Sequence, residues 1–131
     1  MMAKRKILLV DDEVDFVDLM KTRLEANGYE VITANNGKEA LDRVKNDKPV
    51  ALLLDIMMPE LDGLSVLKQI RETDKILPIF IVTAFSNEER VKAAGKMNAT
   101  GFIVKTQDLG KEVRNITAAI DIAEKIKEER G

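Results

Sequence analysis

The chain is 131 residues long, the size of one domain, and 45% of it is hydrophobic, enough for a single buried core. Its 21 basic and 23 acidic side chains leave a formal charge of -2, so the balance points away from direct nucleic-acid binding. There is no cysteine and no histidine, which excludes disulfide scaffolds, thiolate zinc sites, serine–histidine and cysteine–histidine triads, and histidine-based phosphorelay carriers.

The first six residues are basic but lead into only four strongly apolar ones, far short of a signal peptide or a membrane span, so a cytoplasmic protein with no membrane partner is expected. Residues 7–10 (Ile-Leu-Leu-Val) read as a buried strand ending on Asp11 and Asp12, and Glu13 closes the loop that opens the first helix. Val14, Val17 and Leu24, with Phe16 and Met20, recur at three and four residues and predict an apolar stripe facing a sheet. Asn27 and Gly28 read as left-handed residues that stop the helix. Residues 29–34 are a shorter, more polar strand suited to a sheet edge.

Asn36 followed by Glu39 is a capping-box pattern, opening a helix that buries Ala40, Leu41 and Val44. After Pro49, residues 50–54 form the most apolar strand, and Asp55 ends it. An irregular Met57-Met58-Pro59 loop and the Asp62-Gly63 pair lead to a helix whose apolar positions are Leu64, Leu67 and Ile70. Residues 79–82 form a fourth strand finishing on Thr83. Ser86 and Glu89 are a second capping pair, ahead of a helix with a weak stripe of Val91, Ala94 and Met97 that is expected to be loosely held. Residues 102–104 form the last strand, ending on Lys105. A long helix from about Asp108 carries Leu109, Val113, Ile116, Ile120 and Ala123, with Ala118, Ile122 and Ile126 widening the stripe.

Strands alternating with helices predict a parallel sheet covered on both faces and joined by right-handed crossovers. Open sheets of this kind bind ligands beyond the carboxyl ends of their strands, at the point where strand order reverses. If the first and third strands are neighbours there, as the resemblance given below implies, Asp11, Asp12 and Asp55 converge. Two carboxylates about 4 Å apart repel by roughly 4 kcal/mol at an effective dielectric near 20, so three need a counter-charge. Lys105 supplies one positive charge, and a hard divalent ion such as Mg²⁺ suits the remaining oxygens. A carboxylate nucleophile at Asp55, a metal, the Thr83 hydroxyl and the Lys105 ammonium are the parts that phosphoryl transfer requires. Taken singly, each group has an ordinary reading as a helix cap, a strand-end hydroxyl or a solvated charge. Four strand ends carrying the right groups together are hard to assign to chance.

The set resembles the receiver domain of two-component response regulators, of the chemotaxis-regulator type, from Lys6 to the last helix. The residues that carry the resemblance are Asp11-Asp12, Asp55 with Met58-Pro59 and Asp62-Gly63, Thr83-Ala84, and Lys105 after Gly101-Phe102. It implies a flavodoxin-like (βα)5 fold with strand order 2-1-3-4-5. It also implies that Asp55 accepts a phosphoryl group from a histidine kinase or phosphotransfer protein. Asp12, Asp55 and the Met57 carbonyl would hold Mg²⁺, with Asp11 acting through water. Thr83 and Lys105 would contact the phosphoryl oxygens, and Phe102 would be the aromatic switch partner of Thr83.

Departures from the family pattern are Thr106 in place of a proline, Phe102 in place of the commoner tyrosine, and apolar Met57 and Phe85 where polar side chains often bring water to the phosphate. Slow autodephosphorylation is therefore expected. The chain is expected to be one receiver domain over 1–131, core about 6–125. It would act alone on a downstream protein, as a monomer that can dimerise on phosphorylation, rather than as the receiver part of a longer regulator or a constitutive binding module. A flavodoxin-like cofactor binder would place a phosphate loop where Asp11, Asp12 and Glu13 stand. An aspartate-nucleophile phosphatase would need a second acid where Met57 stands.

Overall fold

Leucine and isoleucine runs that no periodicity interrupts need cover on two sides, and the chain supplies it with helices. The computed structural model describes residues 4–58, 62–83, 88–105 and 108–130. The elements are β1 (Arg5–Val10), α1 (Val14–Ala26), β2 (Tyr29–Thr33), α2 (Gly37–Asp47), β3 (Ala51–Asp55), α3 (Gly63–Thr73), β4 (Ile79–Thr83), α4 (Glu88–Lys96), β5 (Gly101–Val104) and α5 (Leu109–Arg130). All strand pairs are parallel, in the order β2-β1-β3-β4-β5, as the resemblance implies. Every residue of β3 and β4 is buried, whereas β2 and β5 at the edges are buried at only one position each.

Strand alternation divides the core in two. Ile7, Leu9, Leu53, Val82 and Ile103 face α1 and α5, packing on Phe16, Met20, Leu24, Val113, Ile116 and Ile120. Leu8, Val10, Leu52, Leu54 and Ile81 face the other way, onto Ala40 of α2, Val66, Leu67 and Ile70 of α3, and Ala94 of α4.

Helix phase corrects the predicted stripes. Val14 is 69% exposed, because it lies two residues, about 200°, from Phe16, while Phe16, Met20 and Leu24 hold the i, i+4, i+8 row over the sheet. The same offset leaves Ala118 exposed and Ile122 62% exposed beside the buried Ile116 and Ile120 row. Val66, absent from the predicted stripe of α3, is buried, and Leu64 is only partly so. Of the pair expected to be left-handed after α1, Gly28 has φ +90° but Asn27 has φ −96°. Glycine alone takes the strained position.

The Asn36 side chain accepts from the Glu39 amide at 2.8 Å, as the capping pattern predicts. Ser86 lies outside the described residues, so its pairing with Glu89 does too, as do Pro59, Ala84, Phe85 and Thr106. In α4, Ala94 is the one fully buried side chain among those described, with Val91 half-buried there and Met97 half-buried just beyond its end. Among the described residues no helix is long and apolar enough to cross a membrane.

Candidate functional site

The register places the carboxyl ends of the central strands side by side: Val10 pairs with Leu54, Asp55 with Val82, and Thr83 with Val104. Asp11 and Asp12 therefore leave β1 next to Asp55, the last residue of β3. Each of the three aspartates offers one oxygen, and those oxygens lie within 4.8 Å of one another. Asp11 and Asp55 are buried, while Asp12 is exposed at the mouth.

Local turns aim the two buried carboxylates in the same way. Asp11 Oδ1 accepts from the Glu13 amide and Asp55 Oδ1 from the Met57 amide, both at 2.8 Å. A carboxylate bonded to the main chain two residues on is the turn that aspartate favours at a strand end. In both residues one oxygen is committed to the turn.

Lys105 enters from the other side. Its amide donates to the Thr83 carbonyl at 2.9 Å, extending the β4–β5 ladder by one bond and turning the side chain toward β1 and β3. The ammonium lies 3.0 Å from Asp11 Oδ2, 2.9 Å from Glu13 Oε2 and 3.5 Å from Asp55 Oδ2, and 5.0 Å from the centre of the Phe16 ring. The ring gives the cation a further favourable face.

Burial raises the Asp11 carboxyl above the ordinary 3.8, against the opposing pull of the Glu13 amide and Lys105, and the nearby Asp55 charge pushes the same way as burial. For Lys105, burial is the largest single influence and lowers it. Hydrogen bonds to Glu13 and Asp11 and the charges of Asp11 and Asp55 together outweigh burial, leaving the ammonium above its ordinary 10.5. Lysine is thus held charged, and one acid is held at a cost.

With all groups ionised, four carboxylates (Asp11, Asp12, Glu13, Asp55) face one ammonium, a residue of three negative charges. Asp11 Oδ2 is buried and, although 3.0 Å from the ammonium, accepts no hydrogen bond among the described residues. A set of carboxylate oxygens, one of them without a donor, fits a hard divalent cation such as Mg²⁺.

The sequence-predicted residues fall into place as follows. Asp11, Asp12, Asp55 and Lys105 come together; Thr83 is buried at the end of β4; Met57 follows on the β3–α3 loop with its side chain 43% exposed; Phe102 stands on the edge strand, 37% exposed. Three contributors escaped the sequence. Glu13 was legible only as a loop residue and Phe16 only as core, yet both hold Lys105. Arg90 of α4 reaches the Ile56 carbonyl at 3.2 Å, and nothing in its spacing announced that.

This fold, with an acidic pocket at its strand ends, is that of a signalling module. The response regulator receiver domain family model matches residues 7–118, and the chain belongs to that family, the receiver module of two-component systems. It is 43% identical over 102 residues to the alkaline phosphatase synthesis transcriptional regulatory protein PhoP of Bacillus subtilis, covering 77% of this chain and 42% of that protein. It is 36% identical over 125 residues to the probable transcriptional regulator ycf27 of Porphyridium aerugineum, covering 93% of this chain and 52% of that protein. The chain thus spans about half the length of these curated relatives. A CheY-like receiver domain protein from Methanospirillum hungatei superposes with TM-score 0.85 at 27% identity, covering 94% of this chain and 98% of that one. NtrX from Brucella abortus does so with TM-score 0.86 at 28% identity, covering 98% of this chain and 30% of that one.

Proposed function

We propose that Asp55 is the phosphoacceptor of this receiver. A partner kinase or phosphotransfer protein would present a phosphohistidine. An Asp55 carboxylate oxygen attacks phosphorus, the P–N bond breaks, and the histidine leaves with the electron pair and takes a proton. The observation that carries this reading is the convergence of Asp11, Asp12 and Asp55 with a buried ammonium at one end of the sheet.

Asp12, Asp55 and the Met57 carbonyl are the proposed direct holders of Mg²⁺, with Asp11 reached through water. When bound, the ion supplies neutralisation of charge on the phosphoryl oxygens. Lys105 needs no large movement to meet those oxygens, since it already lies 3.5 Å from Asp55 Oδ2. Thr83, buried at the neighbouring strand end, is the hydroxyl proposed to follow the phosphoryl group, and Phe102 the ring that moves with it.

The readout would be a changed protein-binding surface around the end of β4, α4 and β5, in a cytoplasmic setting. The expectation that the chain acts alone draws no support from relatives of which it spans about half. Incubation with acetyl phosphate and Mg²⁺, followed by intact mass measurement, tests the assignment. One added phosphoryl group that disappears in Asp55→Asn supports it. An unchanged mass would make the chain a binding module instead.

A further inference from the structure

The Lys105 ammonium stands between two kinds of acid. Asp11 and Asp55 are buried and belong to the oxygens that suit a cation; Glu13 belongs to the rim, with its side chain 54% exposed. The Glu13 contact is the shortest of the ion pairs that Lys105 makes among the described residues, at 2.9 Å. It is also the one whose acid lies outside the carboxylate cluster.

A cation drawn to Asp11, Asp12 and Asp55 competes with the ammonium for the same oxygens. An ammonium that lost Asp11 with no other acceptor would be left in a buried place without a partner, which is costly. Resting on the phosphoryl-acceptor reading above, we propose that Glu13 is a positioning residue that retains Lys105 while a divalent cation occupies the aspartates. It keeps the amine beside the metal oxygens and within reach of the Asp55 carboxylate.

The Phe16 ring, 5.0 Å from the ammonium, gives the cation a further favourable contact that does not depend on the aspartates. The Glu13 amide bond to Asp11 is a main-chain contact, so changing the Glu13 side chain leaves the Asp11 turn with its donor. Glu13 is also the residue that precedes α1, and its side chain makes no capping bond there. Substituting the Glu13 side chain therefore removes no capping bond from α1, whose Val17 amide donates to the Glu13 main-chain carbonyl.

Reach and charge can be separated. Aspartate keeps the negative charge but is one methylene, about 1.5 Å, too short for the bond. Calorimetric titration of the full chain with Mg²⁺ should show Glu13→Gln and Glu13→Asp each weakening binding by about threefold or more. In a Lys105→Met background, where there is no ammonium to hold, Glu13→Asp should leave the Mg²⁺ affinity unchanged. With ¹⁵N-labelled lysine, the Lys105 ammonium resonance of the Mg²⁺-bound protein should persist in the unsubstituted chain and be lost to solvent exchange in Glu13→Gln.

A Glu13→Asp protein that binds Mg²⁺ like the unsubstituted chain would reduce the residue to a through-space charge and overturn the inference. Equal effects of Glu13→Asp with and without Lys105 would do the same. Indifference of the unsubstituted chain to Mg²⁺ would instead remove the phosphoryl-acceptor reading on which this one stands.

Discussion

Arg90 donates a hydrogen bond of 3.2 Å to the carbonyl of Ile56, the residue that follows the proposed phosphoacceptor, and lies 3.9 Å from the Asp62 carboxylate. A side chain of α4 is thereby fastened to the loop between β3 and α3. The helix has little else to hold it among the described residues, since Ala94 is its one fully buried side chain there. The expectation is that a binding event that moves the loop is felt at α4 and, by reciprocity, a change at α4 by the loop.

Replacing Arg90 by Met should loosen α4 without disturbing the sheet. Amide exchange in residues 88–96 should accelerate about tenfold, and the change in that exchange on adding acetyl phosphate and Mg²⁺ should shrink. An α4 that responds to phosphorylation as strongly in Arg90→Met as in the unsubstituted chain would show that the bond carries no coupling.

The start of α3 is fixed by close contact as well as by the Asp62 carboxylate, which accepts from the Ser65 amide at 3.2 Å. A Cβ built on Gly63 would stand 2.7 Å from both Cα and Cγ2 of Ile56, a buried residue of the same loop. Such a clash against main chain cannot be relieved by turning a side chain. Gly63→Ala should cost about 1–3 kcal/mol in urea unfolding and should shift the loop that carries Met57. A change below about 0.5 kcal/mol would show that the loop gives way freely.

How far the sequence spoke depends on the kind of interaction. The strands were legible because buried parallel strands are continuous apolar runs, and Asp55 and Lys105 because polar groups at the ends of such runs stand out. The neighbour relation of β1 and β3 came from resemblance, since pairing between strands leaves no local trace. Helix faces were read by spacing alone, which does not fix phase. Val14 has the right interval from Val17 yet lies about 200° round α1 from Phe16 and is exposed. Glu13 and Arg90 were silent because their partners, Lys105 and Ile56, lie 92 and 34 residues away in the chain.

Arg71 shows the same limit and yields a stability prediction. It is 7% exposed on α3, where charge usually faces water. Its guanidinium instead donates to the Asn98 carbonyl at 2.9 Å, the Asp74 carbonyl at 3.1 Å and Thr100 Oγ1 at 3.5 Å, tying the end of α3 to the segment before β5. Burial lowers its ordinarily high pKa, with Asp74 pulling the other way. Arg71→Met leaves these acceptors without their donor and should cost about 2 kcal/mol or more. Arg71→Lys should recover only part, because an ammonium cannot match a fork of donors. Full stability in Arg71→Met would mean that water replaces the guanidinium at no loss.

Asp11 provides the pH test. Its carboxyl is raised above 3.8, chiefly by burial, so between 3.8 and the raised value the folded chain binds more protons than the unfolded one. Stability from this group is therefore present below 3.8 and is lost as pH rises through the raised value. At neutral pH the ionised carboxylate is a burden on the metal-free fold. Asparagine keeps an oxygen for the Glu13 amide and drops the charge. In EDTA at pH 7, Asp11→Asn should be more stable than the unsubstituted chain by roughly 1 kcal/mol, a gap that closes as pH falls toward 3.8. With Mg²⁺ at about a hundred times its dissociation constant, the unsubstituted chain should gain about 2.7 kcal/mol, and Asp11→Asn less at the same concentration. Urea midpoints under these conditions read both effects. A substituted protein that is the weaker at pH 7 without metal would mean that Lys105 more than compensates the buried charge, and the pocket would then have no unmet demand for a cation.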